Sequence, residues 1–257
     1  MVRRAREAIT DNRILPYYQP KVHLVGGEIA GFEALLRLRG SKKSVRPASA
    51  IAPAFEDLEL GAAISDSMIG QAIQDVRRWL DRGIDFGHIA INVAPGDFRR
   101  HDFADTFLER LVQAGLRTSY FRLEVTESVV LGQRDGAVER TLRLLNSEGL
   151  RIALDDFGTG YASLLQLKQF PIDELKIDKS FIRDMKTDPN DAAIVQAVID
   201  LGRNLGMTVV AEGVETNAQA DYLRRLNCDW AQGFLYSQAV PASRVPKVLR
   251  DLVKEGS

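Results

Sequence analysis

The sequence has a single cysteine, Cys228, among its 257 residues. One cysteine excludes an internal disulfide framework, and it excludes the cysteine-rich sites that hold structural zinc. The three histidines, at positions 23, 88 and 101, lack the close spacing of a metal-binding pair, so they are expected to be structural or surface residues. This composition is typical of a protein in a reducing compartment.

The chain also lacks an excess of either charge and any long apolar run. Its 34 lysines and arginines stand against 35 aspartates and glutamates, for a formal net charge of -1. This balance gives no basic field for a nucleic-acid polymer, although it allows a small charged ligand. Without a run of about 18 apolar residues, no membrane-spanning helix is expected in this chain. We therefore predict a cytoplasmic globular protein.

The first thirteen residues are rich in arginine and have no apolar stretch of the kind found in a signal peptide. They are expected to form an N-terminal helix or the end of a linker, and a domain is expected over residues 14–257. No segment rich in proline, glycine or serine divides that domain.

Strand-like and helix-like segments alternate along the rest of the chain, which indicates an α/β fold. The Gly26-Gly27 turn between the first two strands predicts an antiparallel hairpin, and residues 41–47 are interpreted as a polar loop. Repeated strand–helix units favour a closed (β/α)8-type barrel over an open doubly wound sheet. The predicted strands are 17–24, 28–38, 88–93, 121–125, 151–154, 174–177, 208–211 and 229–234, and the predicted helices are 62–81, 97–114, 133–147, 191–205 and 217–226.

Polar side chains follow almost every predicted strand, at the end of the barrel where active sites lie. Buried carboxylates that converge repel one another unless a cation compensates them. Oxygen donors suit Mg²⁺ or Mn²⁺ better than zinc, and the adjacent Asp155 and Asp156 could serve two ions, as in two-metal phosphoryl chemistry. Lys176 either neutralises a neighbouring carboxylate or assists the attacking water. The strand-end residues are Glu33, Arg37, Asn92, Glu124, Glu127, Asp155, Asp156, Lys176, Asp178, Glu212, Glu215 and Gln232.

The segment Glu33-Ala34-Leu35-Leu36-Arg37 resembles the signature of the EAL-domain family, the cyclic di-GMP phosphodiesterases. Further segments of the family pattern occur in its order and spacing over nearly the whole chain, and such a series is far more specific than any one segment. They are Tyr17-Tyr18-Gln19-Pro20, Ile91-Asn92-Val93, Leu123-Glu124-Val125-Thr126-Glu127, Asp155-Asp156-Phe157-Gly158-Thr159-Gly160, Leu175-Lys176-Ile177-Asp178, Ala211-Glu212-Gly213-Val214-Glu215 and Gln232-Gly233-Phe234.

The resemblance implies a modified TIM (β/α)8 barrel with an antiparallel strand at its start, and metal-dependent hydrolysis of cyclic di-GMP to linear 5′-pGpG by two-metal activation of water. Lys176 and Glu212 would handle the water, with Glu212 as general base or second-metal ligand, and Glu127 would anchor a lid loop over residues 156–163. The metal ligands implied are Glu33, Asn92, Glu124, Asp155 and Asp156, and the substrate-binding residues are Gln19, Arg37, Glu215 and Gln232.

The alternative is a receptor module that binds cyclic di-GMP without cutting it. Receptors of this family typically lose motif residues, whereas all of them are present here, which favours the enzyme. Departures from the family pattern, such as Ala94 where Asn-Val-Ser is usual, remove no implied metal ligand. The resemblance leaves open a homodimer and an upstream sensor domain.

Overall fold

The computed structural model describes residues 2–40, 44–55, 57–132, 136–158 and 164–255. Its strands are β1 Ile14–His23, β2 Ile29–Arg39, β3 Val45–Pro47, β4 Ile89–Asn92, β5 Phe121–Thr126, β6 Arg151–Phe157, β7 Glu174–Ile177, β8 Thr208–Glu212, β9 Trp230–Gln232 and β10 Val240–Pro241. Its α-helices are α1 Val2–Thr10, α2 Leu58–Asp81, α3 Phe103–Gln113, α4 Glu127–Gly132, α5 Ala137–Ser147, α6 Leu164–Gln169, α7 Lys179–Asp184, α8 Pro189–Leu205, α9 Asn217–Arg225 and α10 Val245–Glu255.

The barrel closes through the strands in the order β1, β2, β4, β5, β6, β7, β8 and β9. From β2 to β9 each strand is parallel to the next, whereas β1 is antiparallel to both of its barrel neighbours. The connection from β1 to β2 runs through Gly26 and Gly27, whose φ angles of 100° and 82° favour glycine. These observations confirm the predicted barrel with an antiparallel first strand.

Two predictions of local structure were wrong. Residues 97–114 do not form one helix, because a short 3₁₀ helix, Asp97–Arg99, precedes α3 and Arg100 between them is extended. The side chain of the buried Asp97 accepts a hydrogen bond from the backbone N–H of Ala94, 2.8 Å away, so it closes a local turn instead. The predicted loop at 41–47 ends in β3, which pairs with β2, while residues 41–43 lie outside the described part.

Apolar side chains cover the outward face of the barrel strands, and smaller residues leave room inside it. Ile89 and Ile91 are fully buried on alternate positions of β4. Ala90 pairs in register with Glu33, and Ala153 pairs with Glu124, so a small side chain lies beside each of these glutamates. In the described residues no helix has both the length and the apolar character needed to cross a membrane.

A buried hydrogen bond joins the antiparallel strand β1 to helix α2. The Tyr18 hydroxyl donates to Asp75 at 2.7 Å, and burial, together with this carboxylate, raises the pKa of Tyr18. Tyr18→Phe removes the donor from a buried carboxylate, so we expect the free energy of unfolding to fall by about 1–3 kcal/mol. Urea unfolding measures this change. Tyr120→Phe removes only an exposed contact with Arg117 and should cost about 0.5 kcal/mol or less; equal losses in both variants would contradict the assignment.

Candidate active site

Four carboxylates surround one lysine at the carboxyl end of the parallel strands. Lys176 on β7 is fully buried, and its Nζ lies 2.6 Å from Glu124, 2.7 Å from Glu212, 3.1 Å from Asp155 and 3.5 Å from Glu33. These residues come from five different strands, which only the closed barrel brings together. The structure therefore places five of the predicted site residues in one cluster.

The cluster holds more negative charge than its lysine neutralises. Burial raises the pKa of Glu33 to about 7, with repulsion from Glu124 adding to it. Burial likewise raises the pKa of Glu212 to about 8, against the attraction of Lys176. Glu124 differs, because Lys176 and Lys21 overcome the effect of burial and lower its pKa to about 2. Such an imbalance is relieved by protons or by a bound cation.

Asp155 and Asp156 converge although they are adjacent in sequence. Successive side chains of a strand normally point to opposite faces, but Asp156 has a φ of 56°, in the left-handed region, which interrupts the alternation. Carboxylate oxygens of Asp155, Asp156 and Glu212 lie within 4.8 Å of one another. Burial, followed by repulsion from Asp155, raises the pKa of Asp156. An all-oxygen set at this spacing fits Mg²⁺ or Mn²⁺.

Amide side chains complete the ring around Glu33. Asn92 donates from Nδ2 to Glu33 Oε1 at 2.8 Å, and Gln232 donates from Nε2 to Glu33 Oε2 at 2.7 Å. Gln232 also donates to Gln19 at 3.2 Å, and Gln19 in turn donates to the backbone carbonyl of Ser237 at 3.1 Å. Within the described residues the buried Oε1 of Gln232 has no hydrogen-bond partner.

A cavity of about 520 Å³ opens above this cluster. The basic residue Arg37 and the aromatic residue Phe234 both border it, and Phe234 is 61% exposed. The combination suits a ligand with both phosphates and planar bases. The lining residues are Gln19, Glu33, Leu35, Arg37, Asn92, Asp155, Lys179, Glu212, Gly213, Glu215, Gln232, Gly233 and Phe234.

Glu127 lies apart from the lining of this cavity. It is the first residue of α4, directly after β5, and it is buried. Residues 159–163 of the predicted lid loop lie outside the described residues, so the role of Glu127 as its anchor stays a prediction. Asp178, another strand-end residue, accepts hydrogen bonds from Ser180 at the start of α7 and therefore caps that helix.

Sequence reasoning missed several residues of the site. Phe234 and Lys179 line the cavity, but neither was given a role, although Phe234 ends the segment Gln232-Gly233-Phe234 and Lys179 directly follows Asp178. Lys21, which contacts Glu124 at 2.8 Å, was also missed. It stands two residues after Gln19 on β1, and that spacing places both side chains on the same face of the strand.

The EAL domain family model matches residues 2–239. The chain is 39% identical over 240 residues to the bifunctional diguanylate cyclase/cyclic di-GMP phosphodiesterase MucR of Pseudomonas aeruginosa, covering 93% of this chain and 35% of MucR. It is 34% identical over 245 residues to the cyclic di-GMP phosphodiesterase NbdA of the same organism, covering 95% of this chain and 31% of NbdA.

A solved structure of the PaMucR phosphodiesterase in complex with c-di-GMP has the same fold. The TM-score is 0.89 at 38% identity, over 95% of this chain and 98% of that chain. The chain spans about a third of the length of the two curated relatives.

The excess of carboxylates predicts that divalent cations stabilise the protein. Mn²⁺ at about 100 times its Kd should add about 2.7 kcal/mol to the free energy of unfolding. Asp155→Asn should remove most of this gain because it removes a carboxylate from the cluster. Thermal or urea unfolding with and without Mn²⁺ measures the effect. Asp184→Asn, a control at an exposed acid paired with Arg183, should keep the full gain, and an equal loss in both variants would count against a site at Asp155.

Proposed function

Because this chain belongs to the EAL domain family, we propose that it is a phosphodiesterase that hydrolyses one phosphodiester bond of cyclic di-GMP and releases linear 5′-pGpG. The observation that carries this proposal is the set of four carboxylates around Lys176 beneath a cavity of about 520 Å³. Two relatives over this region, MucR and NbdA, are named for cyclic di-GMP phosphodiesterase activity.

We assign one Mg²⁺ or Mn²⁺ ion to Glu33, Asn92, Glu124 and Asp155, and a second ion to Asp155 and Asp156. When bound, these ions supply Lewis acidity to the scissile phosphodiester and compensate the carboxylates. The oxygen-rich donor set and the raised pKa values of Glu33 and Glu212 support this assignment.

The remaining residues of the site orient the substrate or accept the proton of the attacking water. Arg37 on the cavity wall can hold a phosphate group through its planar guanidinium, and Phe234 offers an exposed ring on which a guanine base can stack. Gln19, Glu215 and Gln232 border the same cavity and can bind the polar edges of the nucleotide. This arrangement holds the phosphodiester close to the carboxylate cluster.

Glu212 is the residue that accepts the proton of the attacking water in this proposal. Its carboxylate lies in the acidic cluster and 2.7 Å from Lys176, and the burial that raises its pKa to about 8 favours uptake of a proton. Lys176 remains protonated, since four carboxylates raise its pKa despite complete burial. Its ammonium group holds Glu212 and Asp155 in place while the proton moves.

The proposal is tested by incubating the purified chain with cyclic di-GMP and Mn²⁺ and resolving the nucleotides by chromatography. We expect linear 5′-pGpG as the first product. Glu33→Ala and Glu212→Gln should each lower kcat by at least about 100-fold, because one loses a cation ligand and the other a general base. Glu148→Gln, at an exposed position beyond the end of α5, should retain native turnover.

Mn²⁺ affinity of the Glu212→Gln variant separates the two roles open to this residue. A general base can be removed with little change in the Kd for Mn²⁺, whereas loss of a cation ligand weakens it. If the native chain binds cyclic di-GMP but leaves it intact with either metal, the phosphodiesterase proposal is wrong and the receptor alternative holds.

Three expectations about context stay predictions: a homodimer, an upstream sensor domain and a cytoplasmic location. MucR and NbdA extend well beyond the region that this chain matches, which supports a role for the domain within a longer signalling protein.

A further inference from the structure

A second layer of charged side chains lies beneath the carboxylate cluster. Lys21 on β1 and Glu174 on β7 are both fully buried, and Lys21 Nζ lies 2.6 Å from Glu174 Oε1 and 2.8 Å from Glu124 Oε1. The other oxygen of Glu174 contacts Arg122 on β5, whose guanidinium stacks 4.5 Å from the centre of the Trp230 ring. These three charged residues form a continuous ionic layer, which we call the lower layer.

Strand alternation explains the position of the lower layer. Arg122 stands two residues before Glu124 on β5, and Glu174 stands two residues before Lys176 on β7, so each pair faces the barrel interior at successive depths. Lys21 reaches the same depth from the opposite direction, because β1 is antiparallel to its neighbours. The lower layer therefore supports the cluster from inside the barrel.

Glu124 is the residue that joins the two layers. Its Oε1 is bound by Lys21 at 2.8 Å, while its Oε2 is bound by Lys176 at 2.6 Å. With Oε1 held from below by Lys21, it is Oε2 that contacts Lys176, the centre of the carboxylate cluster. A carboxylate that swings freely could offer both oxygens to a cation, so the contact with Lys21 selects one of them.

Packing alone does not require charged side chains at this depth of the barrel interior. The interior layers of such barrels are usually filled by branched apolar side chains, and replacing a buried ion pair by apolar residues is often neutral or stabilising. The two cations of the lower layer, Lys21 and Arg122, are balanced only when Glu124 is counted with Glu174. The side chain that gains a fixed orientation from this arrangement is Glu124.

We propose that Lys21 is a positioning residue, which holds Glu124 so that Oε2 alone is presented to the bound cation. Glu174 and Arg122 complete the charge around Lys21 and keep its ammonium group in place. This inference rests on the cation site of the proposed function. Groups that hold a metal ligand from behind typically contribute 10–100-fold to metal affinity.

The first test compares Lys21→Met/Glu174→Gln, which removes one charge of each sign, with the native chain. Calorimetry should show a Kd for Mn²⁺ that is about 10–100-fold higher in the double variant. Its kcat should fall, while its KM for cyclic di-GMP changes less than about threefold, because no side chain of the cavity wall is altered. A native Kd in the folded double variant would overturn the proposal.

Two further variants separate positioning by Lys21 from the general effect of removing an ion pair. Glu174→Gln alone keeps the contact between Lys21 and Glu124, so it should bind Mn²⁺ at least about threefold more tightly than the double variant. Arg100→Met/Asp66→Asn removes a 2.8 Å ion pair outside the cavity and is expected to leave the Kd for Mn²⁺ unchanged. Equal affinities of Glu174→Gln and the double variant would contradict a specific role for Lys21.

A structure of the native chain with Mn²⁺ tests the inference even if the double variant fails to fold. Glu124 should bind the ion through Oε2 only, with Oε1 still within about 3.2 Å of Lys21 Nζ. A bidentate Glu124, or a Lys21 that has moved away, would refute the proposal. Neither measurement requires turnover, so a chain that binds Mn²⁺ in this way but leaves cyclic di-GMP intact contradicts only the proposed function.

Discussion

The crowding of carboxylates around Lys176 is the constraint on which the rest of this structure depends. A single buried ammonium cannot neutralise Glu33, Glu124, Asp155 and Glu212, each of which lies within 3.5 Å of it. Bringing these groups out of water costs free energy, which the folding of the barrel must offset elsewhere. The same excess of negative charge is what the proposed divalent cations would compensate at the mouth of the barrel.

The antiparallel first strand contributes more than closure of the barrel. β1 supplies Gln19 at the level of the cavity and Lys21 at the level below, and its antiparallel direction makes the later residue the deeper one. The Gln19 amide thus contacts Gln232, and the Lys21 ammonium contacts Glu124, from the same strand. The departure from a regular (β/α)8 barrel is therefore part of the construction of the site.

Much of the fold and most of the cluster follow from local sequence patterns. Alternating strands and helices predict the barrel, and polar residues at strand ends predict which side chains meet, since parallel strands bring their carboxyl ends to one side. Local patterns cannot identify the partners of Lys21, which lie 103 and 153 residues away in the chain. Those contacts exist only after the barrel closes between β1 and β9.

The other differences between the predictions and the structure also have local physical causes. The helix pattern of residues 97–114 is broken by a polar side chain, Asp97, that satisfies a backbone N–H more locally than a helix would. Phe234 is apolar, and a search for charged chemistry passes over it, yet it is exposed and lines the cavity. Residues whose role depends on exposure or on distant partners can be identified only from the folded structure.

We propose that oxygen donors from separate strands hold paired cations at the barrel mouth. Anomalous diffraction from crystals grown with Mn²⁺ tests it most directly. We expect two peaks about 3.5–4 Å apart, one among Glu33, Asn92, Glu124 and Asp155 and the other beside Asp156. A map with no peak among these residues, at Mn²⁺ concentrations that support turnover, would contradict it.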